Sequence, residues 1–388
     1  MSSKRVDKKV AILSSVHQAL DNRVFYREAQ TLAGAGYDVT LIAVHDRDEV
    51  KDDVRIRALP RVPRSRRPLL WRVIAKMAIE TGADIYHIHD PELLMVTPYL
   101  RRKTGRATIY DIHEANADFI AVKDYLPAAV RRPMARIFRR LEPHLARRES
   151  GLIFADDAIA ADFASVNNPK VTLFNFPSRE LIEHGGRLSP RQPDANPEIL
   201  YLGGLERNRG SALMIAAFAE VIANMPLARL RIVGHFMPPD LEDELRADAA
   251  NRGIAHAVTI TGRVPFEQIG DYLQQAAVGW VTWQAYPKNM KNIPTKLFEY
   301  MAYNLPIVSS DLPSTRIFIE DGVNGWLAAA DDPRSHAAAL LRLLRDPATA
   351  ATMGQSGRRL VEHKYNWDEM TPRLLDFYDV VLANSRSS

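Results

Sequence analysis

The 388-residue chain contains no cysteine. Disulfides, thiolate nucleophiles, Cys-ligated zinc and iron–sulfur clusters are therefore excluded. It has no apolar run approaching the roughly 18–20 residues a membrane span needs. Its first nine residues are polar and basic, and the apolar run at 10–13 is too short for a signal-peptide core. Neither charge dominates, since 51 Lys+Arg against 47 Asp+Glu leave +4. Hydrophobic residues at 46% and charged residues at 25% suit a packed globular chain rather than a disordered one. The length suits two domains. These absences lead to the expectation of a soluble, intracellular, two-domain protein.

What is present alternates. Apolar runs at 9–13, 37–44, 83–88 and 108–112 read as strands, and helical spacing at 24–35 and 69–77 separates them. A β-α-β-α order predicts a parallel sheet with helices on both faces and ligands at the carboxyl ends of its strands. Residues 183–197 hold three Pro, two Gly and no apolar period, so they read as a linker. The pattern then restarts. Strands are expected at 198–202, 228–233, 257–261, 278–282 and 306–309, with helices at 211–222, 240–252, 265–275 and 295–303. The expected domains are 1–185 and 186–366. A last helix, 367–382, is expected to pack back on the first domain, with the chain end to 388.

Two segments suggest a phosphate site. In the first, a strand ends at Gly203-Gly204, a basic loop follows, and a helix opens after Arg209-Gly210. Glycines allow close backbone approach, a helix N-terminus offers free N–H groups, and Arg209 can add a bidentate contact. Alone, this also describes an ordinary strand–helix turn. In the second, Lys296, Glu299, Tyr300 and Tyr303 recur on one helix face. A first-turn Lys opposes the helix dipole unless an anion sits there. Glu299, amid Leu297, Phe298 and Met301, is expected to be covered and to need a partner.

The run Pro294-Thr-Lys-Leu-Phe-Glu-Tyr-Met-Ala-Tyr-Asn-Leu-Pro-Ile-Val resembles the signature segment of the retaining family 4 glycosyltransferases of the GT-B fold. So do His17…Asp21-Asn-Arg23 with Glu28, His87-Ile-His89-Asp90, Asp111-Ile-His113-Glu114, Ile232-Val-Gly234 and Thr261-Gly262-Arg263-Val264. The matches cover nearly the whole chain in order. The resemblance implies an α/β protein with two Rossmann-like domains whose parallel sheets face across a cleft. It implies transfer of a sugar from a nucleotide-diphosphate sugar to a glycan or polyprenyl-linked acceptor, with retention, in bacterial surface polysaccharide synthesis. By position, Arg209 and Lys296 would neutralise the diphosphate beside Gly203 and Gly204. Glu299 would hold the ribose, and Gly262, Arg263 and Val264 would meet the base. His113 would lie near the reacting sugar, and His17, Asp21 and Arg23 would line the acceptor side. No cofactor beyond the donor and no metal is implied. The family usually carries a Glu eight residues before Glu299, where this chain has Lys291. Donor-sugar contact therefore falls to Lys291 or Asn292, or to nearby Asn289. An epimerase or phosphorylase of the same fold, and a non-catalytic nucleotide-sugar-binding scaffold, are the competing readings.

Other features weigh less. His87 and His89 point to one face of a strand, but no third metal ligand is evident, so a strand-end loop is expected. Asp46-Arg-Asp48 reads as a solvated loop. The chain's charge is uneven, with +7 on residues 1–180 and −3 on 181–388. Much of that excess lies at 127–148, where seven Arg surround Val130, Met134, Ile137, Leu141 and Leu145 at helical spacing. The stripe reads as a core-packing face and the Arg as a surface for anionic lipid. That would place a cytoplasmic protein peripherally on the inner membrane face. No stacking aromatics interleave these Arg, so nucleic acid is not expected as a partner.

Overall fold

A computed structural model of the chain describes residues 8–123, 126–187, 196–265 and 268–386. It divides into two units, one of residues 1–175 with 367–388, the other of 176–366. The boundary anticipated at 185/186 falls inside the second unit. The reason is packing: the Phe176 ring meets Phe298 and Phe318 at 4.9 and 6.0 Å, and a Cβ on Gly185 would meet the carbonyl of Ala302. Helix Arg179–Gly186 covers the start of the expected linker, and 188–195 lie outside the described residues. So do 266–267, at the start of the helix expected over 265–275, of which Ile269–Gln275 is helical.

The first unit carries eight strands: β1 Lys9–Gln18, β2 Asp38–Val44, β3 Glu49–Lys51, β4 Val54–Leu59, β5 Ile85–Ile88, β6 Ala107–Ile112, β7 Gly151–Phe154 and β8 Lys170–Thr172. Their order is β3-β4-β2-β1-β5-β6-β7-β8, parallel except for β3 against β4. The central strands are buried along their whole length, which is why they read as unbroken apolar runs. Helix Thr371–Arg386 belongs to this unit, and the Tyr378 hydroxyl lies 2.8 Å from His87 Nδ1 on β5.

The second unit carries β9 Glu198–Leu202, β10 Leu205–Glu206, β11 Arg229–Val233, β12 Phe236–Met237, β13 Val258–Gly262, β14 Val278–Val281, β15 Ile307–Ser310 and β16 Trp326–Ala328. Six form a parallel sheet in the order β13-β11-β9-β14-β15-β16, and β10 pairs with β12 beside it. Trp280, Phe218 and Tyr201 fill the core against helices Ser211–Asn224 and Pro333–Arg345. In each sheet the strand order reverses at its first strand, between β1 and β5 and between β9 and β14. The crevice at such a switch point is where open parallel sheets bind ligands. Both units are Rossmann-like.

Candidate active site

In the second unit the site grows from the carboxyl end of β9. Gly203 sits at φ 104° and donates its N–H to Val233 at 2.7 Å. Gly234 follows β11 at φ 154°, and a Cβ there would come within 2.0 Å of the Gly203 carbonyl oxygen. Only glycine lets these two strand ends approach so closely. The Gly234 N–H is held by the Gly262 carbonyl at 2.8 Å, which ties the 262–264 turn to the same rim. Arg263 is exposed there, and Gly262 and Val264 are half-buried.

Two cations converge on the glycine pair. Arg209 donates Nη1–H to the Gly204 carbonyl at 2.9 Å, pairs with Glu206 at 3.1 Å, and lies 5.4 Å from the Trp283 ring centroid. Its carbonyl accepts from Thr282 Oγ at 2.6 Å, which fixes the loop. Lys296 opens helix Lys296–Ala302 and is 5% exposed. Its Nζ stands 3.6 Å over the Tyr201 ring and 3.6 Å from where a Gly203 Cβ would sit, and it has no hydrogen-bond partner. Burial and the nearby Arg209 hold its pKa well below the usual lysine value, against the pull of Glu299. A buried, unpartnered amine is costly. An anion beside Gly203 would relieve that cost.

The rest of this half departs from the simple helix face. Glu299 is half-buried rather than covered. Tyr300 is a core anchor, accepting from Leu202 N–H at 3.0 Å and donating to the Leu200 carbonyl at 3.1 Å, while the Tyr303 hydroxyl lies 2.7 Å from His184. Lys291 ends helix Pro287–Lys291 half-buried, and Asn292 after it is buried. Asn289 is spent on structure, donating to the Asn208 and Gln284 carbonyls at 2.8 and 3.0 Å. His235 is a member that the sequence reading missed. Its ring faces Gly204 so closely that a Cβ on that glycine would meet it at 2.8 Å, and burial with Arg263 and Arg209 nearby lowers its pKa. Its place one residue past Gly234, at a strand's carboxyl end, was the available signal.

In the first unit, a buried ionic cluster lies at the β1/β5 switch point. Residues Val24–Ala29 form a π-helical turn, with Glu28 N–H bonded to the Arg23 carbonyl five residues back at 3.0 Å. That wider turn brings residues five apart to one side. Arg23 Nε thus lies 3.0 Å from Glu28 and, with Nη2, grips Asp111 at 2.9 and 3.0 Å. Nη1 donates to the Leu173 carbonyl and Asn175 at 2.7 and 2.9 Å. Arg23 is therefore buried structure and lines no open acceptor surface. His87 and His89 stack at 4.4 Å and are both buried; His87 lies on β5 itself, and His89 in the expected loop just past its end. Glu28, His87, His89 and Asp111 each place one ligand atom within 4.8 Å of the others, so further candidate ligands do exist. The guanidinium already lies against both carboxylates and supplies the cluster's positive charge. Burial and Asp111 push Glu28 well up, whereas burial of Asp111 is outweighed by Arg23 and His113, which hold it down. Burial drives His87 to about 3, and burial with its His neighbours drives His89 well down.

His113 follows β6, its Nε2 2.8 Å from His89 Nδ1 and 3.2 Å from Asp111. His17 stands beside it with ring centroids 5.2 Å apart. Its nitrogens lie 3.6 and 3.7 Å from Asp21 and Asp90. Burial opposes its charge, but Asp21, Asp90 and Asp111 outweigh burial and lift it to about 9. Asp90, the last residue of the His87-Ile-His89-Asp90 motif, accepts from Ser14 Oγ, Ser15 N–H and Ser15 Oγ at 2.9, 2.6 and 3.1 Å. His17, Asp21 and His113 remain partly accessible and form one group.

Family models described as "Glycosyltransferase Family 4" and "Glycosyl transferases group 1" match residues 22–174 and 196–346. A phosphatidyl-myo-inositol mannosyltransferase of Mycolicibacterium smegmatis is 25% identical over 320 residues, 81% of this chain and 75% of that protein. The amylovoran biosynthesis glycosyltransferase AmsK of Erwinia amylovora is 31% identical over 169 residues, 43% of this chain and 41% of that protein. HepE of Anabaena, solved in complex with UDP and glucose, superposes with a TM-score of 0.75 at 16% identity, covering 96% of this chain and 99% of that one.

Proposed function

The chain belongs to the family 4 glycosyltransferases of the GT-B fold, and from that premise we propose that it moves a sugar from a nucleotide-diphosphate sugar to a glycan or lipid-linked acceptor. The anomeric configuration is retained, and the product feeds bacterial surface polysaccharide synthesis in the cytoplasm. The observation that carries this reading is Lys296, a buried amine with no hydrogen-bond partner aimed at the Gly203–Gly204 turn beside Arg209. Preorganised cations at the position where the leaving diphosphate gains charge are the largest common source of rate enhancement. Lys296 and Arg209 supply that charge, so the reading requires no metal or other cofactor. Glu299 takes the ribose hydroxyls, 262–264 takes the base, and Lys291 with Asn292 attends the donor sugar. His113, with its Nε2 against Asp111, attends the reacting sugar, and His17 and Asp21 attend the acceptor. The AmsK and mannosyltransferase likenesses support a glycan or lipid-linked acceptor.

The test is a panel of UDP-, GDP- and ADP-sugars incubated with a polyprenyl-phosphate-linked acceptor, read as nucleotide release and as acceptor mass. One donor giving release together with a heavier acceptor is expected. Nucleotide binding without release across the panel would refute transfer and leave a sugar-binding scaffold.

A further inference from the structure

Helix Ala128–Ala146 was expected to bury its apolar stripe. It packs by a different side, with Ala135, Glu142, Pro143 and Ala146 buried. Val130, Met134, Ile137 and Leu141 are exposed, Ile137 at 66%. Advancing 100° per residue, these four share one outward side, Arg136, Arg140 and Arg147 line the other outward side, and Arg132 stands beside them near the helix start. All four Arg are exposed. The helix therefore has three sides: one packed, one apolar and open, one cationic and open.

Its neighbours extend the surface. The turn Pro91–Met95 packs on this helix and on helix Thr97–Thr104, which in turn packs on helix Arg67–Glu80, and Glu92 of the turn pairs with Arg67 at 3.8 Å. It exposes Met95, the following helix Thr97–Thr104 exposes Tyr99, and helix Arg67–Glu80 exposes Leu69, at 73%, and Val73. Eight of the seventeen exposed large apolar side chains among the described residues lie on these adjoining segments. Arg72 and Lys76 on one helix and Arg101, Arg102 and Lys103 on another are exposed with them. Apolar side chains alternating with cations on an open face are the mark of an interfacial surface: the apolar groups enter the headgroup boundary and the long basic chains reach phosphates. No helix among the described residues is long and apolar enough to span a bilayer. A second copy of the chain would bring like charges together. Tyr99 alone gives no aromatic row for nucleic acid.

We infer that this face of the first unit docks on an anionic lipid surface, with the 130/134/137/141 stripe in the headgroup boundary and the Arg row on lipid phosphates. The inference rests on exposure and charge and does not depend on the transfer reading. The experiment is cosedimentation of the full chain with sucrose-loaded vesicles of phosphatidylcholine, with and without phosphatidylglycerol, at low and high salt. Binding is expected only with phosphatidylglycerol, weakening with salt. Combining Arg132→Gln, Arg136→Gln and Arg140→Gln lowers partitioning about 100-fold, from roughly fivefold per basic residue. Met134→Gln with Ile137→Gln leaves the charge unchanged and lowers it tenfold or more. All five sites are exposed, so circular dichroism and nucleoside diphosphate binding stay as in the wild type. Absence of binding to anionic vesicles at low salt, or variants that partition like the wild type, would overturn the inference. A dimer in sedimentation velocity that the Met134/Ile137 variant abolishes would also overturn it and give the face to a second copy.

Discussion

Replacing Lys296 with Met separates the site reading from a merely structural lysine, because the two effects expected have opposite signs. Without nucleotide, the substitution removes a buried amine that lacks a hydrogen-bond partner. Relief of such an unsatisfied group is worth about 1–3 kcal/mol. Against it stands the loss of the contact 3.6 Å over Tyr201, about 2 kcal/mol for a desolvated cation–π pair. A Met sulfur on the same ring returns roughly 1 kcal/mol. The net is a stabilisation of about 1 kcal/mol, and the second unit's melting temperature rises by about 2–4 °C. With nucleotide, a charge-assisted contact of about 1.5–3 kcal/mol is lost, so affinity falls roughly 10- to 150-fold. Scanning calorimetry with and without UDP, GDP, ADP and pyrophosphate reads both effects. The free site holds the Lys296 pKa low, whereas a bound diphosphate favours the charged form. At pH values between the lowered free-state pKa and the higher one in the complex, wild-type binding takes up a proton, visible as a buffer-dependent heat in titration calorimetry. Affinity declines as pH rises from the lowered free-state pKa towards the higher one in the complex. A variant that melts lower than the wild type and binds every probe unchanged refutes the reasoning.

Further expectations come from buried groups elsewhere. Glu142 accepts from Tyr110 and Asn116 at 2.7 and 2.8 Å, and burial outweighs those bonds and lifts its pKa to about 7. The folded state binds this proton more tightly, so stability declines as pH rises from 4.5 to about 7, by up to roughly 3 kcal/mol. Glu142→Gln flattens that slope in urea titrations of the first unit, and an unchanged slope contradicts the assignment. Gly234→Ala forces the strand end off Gly203 and places a side chain at positive φ, costing about 1–3 kcal/mol together with nucleotide affinity; wild-type binding by this variant counts against the crossing as a constraint. Arg23→Met leaves Asp111 and Glu28 buried without their cation, a loss of about 3–5 kcal/mol in denaturant unfolding. Adding Asp111→Asn should cost less than the two single losses together.

Much of the frame was legible from the chain alone. Buried parallel strands such as 9–13 and 198–202 are continuous apolar runs, and the glycine pair at 203–204 marks its turn directly. The short strands β3 and β4, with exposed Val50 and Arg55, lack such a run and escaped notice. The site cations Arg209 and Lys296 could be named from motif and spacing, whereas the signal for His235 was only its place one residue past Gly234, whose crossing brings its ring to Gly204. The Arg23–Glu28–Asp111 cluster was hidden for two reasons. Ordinary helical spacing puts residues 23 and 28 on different sides, and only the π-helical turn joins them. Asp111 comes from a strand 88 residues away. The 130–141 stripe shows a third limit: periodicity reveals that a helix has an apolar side, not whether anything covers it.

The central claim is that the second unit holds a nucleoside diphosphate at the Gly203–Arg209 loop and the Lys296 helix. Hydrogen exchange of the full chain, with and without a saturating amount of whichever nucleoside diphosphate binds tightest, tests it most directly. Slowed exchange is predicted in residues 203–211, 234–235, 262–264 and 295–300. Protection confined to other segments, with these unchanged, would contradict it.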